Sequence, residues 1–95
     1  MNIKNLIQKI EIIFLELKFE IMFIGDKKDR YLVYKNCYCK ITYLEDWKAI
    51  VIESADNYKD ALNGVLEDGD LYFIDILKEN LPFEIRKDII KYYMC

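Results

Sequence analysis

Histidine is absent from the 95 residues. The commonest general base and metal ligand go with it, as does every Ser-His or Cys-His nucleophile pair. Glycine occurs only at Gly25, Gly64 and Gly69, too far apart in sequence to build a phosphate-cradling loop. Arginine is confined to Arg30 and Arg86, so no guanidinium-rich surface exists to clamp a phosphate backbone, and nucleic acid is not an expected partner. The apolar run from Ile10 to Leu17 is broken by Glu11 and Glu16 and fits neither a membrane span nor a signal-peptide core. Cysteines number three, Cys37, Cys39 and Cys95, an odd count with no disulfide framework. These absences lead us to expect a cytoplasmic, non-catalytic protein with free thiols, without cofactor, bound metal or membrane partner.

What is present belongs to a folded chain: 54% apolar and 33% charged residues, with a formal net charge of −3. No repeat, linker or low-complexity tract divides it, so residues 1–95 are expected to form one domain. Ile3, Leu6, Ile7, Ile10, Ile13 and Phe14 recur at intervals of three and four, the stripe of an amphipathic helix. At about Leu17 the period changes to two, and Leu17, Phe19, Ile21 and Phe23 predict the inner row of a strand. The polar stretch from Gly25 to Asp29 reads as a hairpin connection. Beyond it, residues 30–35, 37–44 and 47–53 are rich in β-branched and aromatic residues and are separated by short polar breaks, so they predict further antiparallel strands. Ile50, Val51 and Ile52, apolar in succession, place the fourth strand inside the sheet.

Ser54 or Asp56 is expected to cap a second helix through Tyr58, Ala61 and Leu62, with Gly64 as its left-handed stop. Glu67-Asp68-Gly69-Asp70 then reads as an acidic turn leading into a short strand or extended segment, Leu71 to Ile74. Pro82 starts a last helix, Phe83 to Tyr93, with Ile85, Ile89, Tyr92 and Tyr93 on its apolar side. The sum is a two-layer α+β fold, an antiparallel meander of four or five strands with helices mainly on one face.

Cys37 and Cys39 share a strand face, where two thiols could hold a metal or oxidise together; without histidine a four-ligand site lacks members, and we read them as small buried hydrophobes. Cys95 is terminal and expected to be mobile. The acidic turn lacks the ligand spacing of a calcium loop, and Asp75 and Glu79 do not supply it. No particular carboxylate pair is selected for glycoside hydrolysis. Trp47 is either an exposed anchor or a core ring, and filling the space between helix and sheet favours the core. The eight tyrosines cannot all be buried with satisfied hydroxyls, so some aromatic surface is expected for recognition.

The strand Lys40-Ile41-Thr42-Tyr43, Trp47, the run Ile52-Glu53-Ser54-Ala55-Asp56-Asn57 into a helix with Ala61, and Glu67-Asp68-Gly69-Asp70-Leu71-Tyr72 together resemble small immunity proteins of bacterial polymorphic-toxin and contact-dependent inhibition systems. The resemblance covers residues from about Cys39 to Ile76. It implies a cytoplasmic protein that binds a cognate toxin and blocks it by protein–protein contact. Local acidity nominates Glu45 and Asp46 at one turn, and Glu67, Asp68, Asp70 and Tyr72 at another, as partner contacts for a basic toxin. The alternative is a small regulatory or phage-encoded adaptor that forms a homodimer through a sheet edge or the last helix; a third class is a minor enzyme or thiol-metal protein using Cys37 and Cys39.

Overall fold

The structure is a computed structural model that describes residues 3–74 and 81–94. Cys95 and the acids Asp75 and Glu79 lie outside the described residues. The chain runs α1 (Ile3–Glu16), β1 (Glu20–Ile24), β2 (Asp29–Tyr34), β3 (Cys37–Leu44), β4 (Ala49–Ala55), α2 (Tyr58–Leu62), β5 (Glu67–Phe73) and α3 (Leu81–Tyr92), with a 3-10 turn at Glu45–Trp47. The strands form one antiparallel sheet in the order β1-β2-β3-β4-β5. An α+β meander is therefore what the chain forms: the connections from β1 through β4 are too brief for anything but a return beside the previous strand, and the longer β4–β5 connection carries α2.

Helix α1 turns into β1 with almost no loop. The amide of Phe19 donates to the carbonyl of Phe14 and that of Lys18 to Leu15, which satisfies the last carbonyls of the helix and swings the chain round with Lys18 at φ 75°. The same closure ends α2, where Val65 donates to Asp60 and Gly64, at φ 71°, to Ala61. Gly64 thus acts as the expected stop. The N-cap differs from expectation: Asn57 caps α2 by accepting from the Asp60 amide at 2.8 Å. Ser54 remains in β4, and the Asp56 carboxylate accepts from the Asn57 side chain.

Directly opposed residues share a sheet face. On one face Leu32, Cys37, Cys39, Ile50, Ile52 and Tyr72 meet Leu6, Ile10, Ile13 and Phe14 of α1, Ile85 and Ile89 of α3, and Tyr93 just beyond α3, which makes the main core. Removing each large side chain of this set from water stabilises the fold by about 1.5–3 kcal/mol. Arg30 to Glu11 and Arg86 to Glu16 are ion pairs that tie α1 to β2 and to α3. The other face is partly covered by α2, where Ala61 packs with Ile24, Tyr31 and Ala55 and the Tyr31 hydroxyl donates to the Ala61 carbonyl at 3.2 Å.

Three local expectations are corrected. Trp47 is 63% exposed: the chain is left-handed at Lys48 (φ 47°), so β4 begins only at Ala49 and the indole stays in the turn, outside the core. Phe23 is also exposed, at the end of the edge strand where Arg30 stacks over its ring. Tyr92, the last residue of α3, projects to solvent while Tyr93, just beyond it, takes the inward position. The fourth strand behaves as expected, with Ala49, Ile50, Val51 and Ile52 all buried between β3 and β5.

Candidate functional site: an acidic groove at one end of the sheet

The stretch Glu67-Asp68-Gly69-Asp70 is no turn. It forms the first half of β5, with Glu67 opposite Ser54 and Asp68 opposite Glu53. The ladder then slips, because Leu71 lies opposite Val51, so Gly69 and Asp70 share the space facing Ile52. The slip sets Glu67, Asp68 and Asp70 on an exposed edge beside the C-terminus of α3.

At that end of the sheet the β2–β3 turn, the last residues of β4, α2, the start of β5 and the end of α3 enclose a groove of about 580 Å³. Its walls include Cys37, Ser54, Asp56, Asp60, Glu67 and Tyr93. A second depression of about 400 Å³ shares Ser54, Glu67, Tyr92 and Tyr93 and continues past Asp68, Gly69 and Asp70. The rim of the combined surface thus carries Asp56, Asp60, Glu67, Asp68 and Asp70 against one lysine, Lys35. Tyr92, 54% exposed, supplies an aromatic wall. Such a surface attracts cationic groups and offers them a ring to lie on.

The structure therefore keeps Glu67, Asp68 and Asp70 together, adds Asp56 and Asp60, and separates Glu45 and Asp46 from them. Those two stand in the exposed 3-10 turn, next to the Phe73 end of β5. Along β5 the acids Glu67 to Asp70 stand three to six residues from that end, roughly 10–20 Å away. Tyr72 is corrected as a surface contact: it is buried opposite Ile50, and its hydroxyl donates to Asp88 of α3 at 2.7 Å. Burial, followed by that bond and the Asp88 charge, raises its phenol above the ordinary range. Tyr93 is pushed up to about 12, first by burial and then by the proximity of Cys39 and Asp70.

Cys37 and Cys39 are buried as expected, with their sulfurs 3.7 Å apart. The Cys37 thiol, which reaches the groove, is lowered by its hydrogen bond with Cys39, against burial and the Asp56 charge, which raise it. Among the described residues no group of three or more Cys, Asp or Glu is placed to hold a metal ion. No described helix is long and apolar enough to cross a membrane.

Sequence reading missed Asp56, Asp60, Tyr92 and Tyr93 as parts of one surface. Asp56 reads as a candidate helix cap, Asp60 attracts no reading of its own, and the two tyrosines look like one apolar stripe; only the return of α3 over β5 brings them to the same groove. Comparison with protein-family models, with curated proteins and with solved structures finds no match to this chain.

Proposed function

We propose that this chain is a non-catalytic immunity protein that neutralises a cognate bacterial toxin by protein–protein contact, with the acidic groove as its main contact surface. One observation carries the reading: Asp56, Asp60, Glu67, Asp68 and Asp70 converge round a tyrosine-lined depression that holds a single lysine. Convergent carboxylates steer a basic partner in, and exposed tyrosine supplies contact area at low entropic cost. The resemblance of residues 39–76 to small immunity proteins points the same way. The test is to read the neighbouring open reading frames for a toxin domain and co-express it with this chain. Growth arrest should be relieved by the wild-type chain, and less so by a variant with Glu67→Lys, Asp68→Lys and Asp70→Lys. The affinity lost by that variant should be greatest at low salt. No relief by the wild type removes the immunity reading, and full relief by the variant removes this surface.

A second reading, the small homodimeric regulatory or phage-encoded adaptor, draws on Phe83 and Ile90, which α3 exposes to solvent. Sedimentation separates the two: a tight dimer with no affinity for a neighbouring toxin favours the adaptor.

A further inference from the structure

The sheet ends at β5, which among the described residues pairs only with β4. An unpaired strand edge is a template for another strand, and the side chains beside it decide which strand fits. On the face away from α1 and α3, three cross-strand rows run out to this edge. Leu44, Ala49 and Phe73 form one row and Thr42, Val51 and Leu71 the next. Leu71 and Phe73 are 40% and 37% exposed at the rim. The third row is charged: Lys40 opposes Glu53, and Glu53 opposes Asp68. It reads plus, minus, minus and then stops, so two like charges face each other with the outer one at the free edge. Among the described residues Asp68 has no ion-pair partner.

From these rows we infer that the free edge of β5 is a docking strand for an extended, basic segment of a partner protein, which adds antiparallel as a sixth strand. Apolar side chains of that segment would meet Phe73 and Leu71, and a lysine or arginine further along would meet Asp68 and complete the charged row. The antiparallel direction continues the sheet and fixes the order: apolar positions first, basic positions second. A second copy of this chain fits poorly, because full antiparallel overlap of Glu67–Phe73 with itself sets Asp70 against Asp70. The acids that protect the edge from self-pairing thereby select a cationic strand. The inference rests on the proposed toxin-binding reading only for the identity of the partner, and it adds how that partner is held.

The probe is a synthetic peptide with valines at alternate positions in its first half and lysines at alternate positions in its second, added to nitrogen-labelled full-length protein. Amide shifts should concentrate at residues 67–73, with little change along β1, the other edge. Three controls decide the mechanism. A peptide of the same sequence N-methylated at alternate amides should bind about tenfold more weakly or worse, since it keeps the charge and loses the backbone donors. A peptide with the halves exchanged should also lose affinity. An Asp68→Lys variant, its fold checked by unchanged amide positions elsewhere, should bind the lysine peptide less well and a glutamate version better. Equal binding of the N-methylated peptide, shifts centred on β1, or β5 shifts that appear on concentrating the protein alone would each overturn the proposal; the last would give the edge to a second copy. Growth protection against the toxin is scored separately. Peptide capture without protection discards the immunity reading and keeps the docking strand, and protection without peptide capture does the reverse.

Discussion

The phenolic oxygen of Tyr93 occupies the space that a side chain at residue 69 would need: a Cβ on Gly69 would lie 2.1 Å from it and 2.8 Å from the carbonyl oxygen of Ile52. Gly69 is therefore required by a close approach of α3 to the slipped stretch of β5, where the chain needs a residue without bulk. The same contact holds Tyr93, just after α3, in the groove wall, so one glycine links the ladder slip to the shape of the candidate site.

Gly69→Ala should cost about 1–3 kcal/mol by overpacking. Tyr93→Phe in the same chain should return part of that loss, by removing the oxygen, and leave the rest, because the Ile52 carbonyl is backbone. A double-mutant cycle by denaturant unfolding measures the coupling. Strictly additive effects would mean that the two residues do not share this space.

Alkaline pH should destabilise the fold. The phenols of Tyr31, Tyr72 and Tyr93 are all raised from 10.0 by burial and by nearby negative groups. A raised phenol binds its proton more tightly in the folded state, so this stabilisation is complete below about pH 10 and is lost as the pH climbs through the folded values. Tyr93 is lost over the interval from 10 to about 12. Each such tyrosine contributes a slope of up to ~1.4 kcal/mol per pH unit in its window. Unfolding midpoints followed against pH should fall there, and Tyr93→Phe should flatten the fall.

Tyr72→Phe removes the bond to Asp88 that pins α3 to β5. The expected cost is about 1.5–2 kcal/mol, the lower part of the range for a bond to a charged acceptor because Asp88 keeps some access to water. Asp88→Asn retains an acceptor and should cost less than Asp88→Ala. Equal losses for the two Asp88 variants would show that the bond contributes little.

Trp47 is the sole tryptophan, which makes its surroundings directly readable. Its fluorescence should be quenched by acrylamide almost as efficiently in the folded as in the unfolded chain, and Trp47→Ala should change stability by less than about 0.5 kcal/mol. A strongly protected indole would place the ring in the core after all.

The errors of sequence reading cluster where a residue's partner is distant in the chain. Trp47 reads as a core ring because a large aromatic beside a strand usually fills a core, yet a left-handed lysine one position later ends the turn before the strand starts. Glu67 to Asp70 read as a turn because acids and glycine disfavour strands, and they are drawn into β5 by pairing with Glu53 and Ser54, whose acceptance of a slipped register no local pattern announces. Tyr72 looks like surface because tyrosine suits recognition; its burial needs Asp88 from α3 to receive the hydroxyl.

Periodicity alone determined the helical stripe from Leu6 to Phe14, the succession of β-rich runs and the buried strand at Ile50–Ile52, because those patterns arise from the geometry of a single element and require no knowledge of its neighbours. The acidic groove, the inward turn of Tyr93 over Gly69 and the outermost place of β5 among the described strands were decided by tertiary structure. Each depends on which segments the meander and the returning α3 bring side by side, and such adjacency between distant residues is a property of the packed chain.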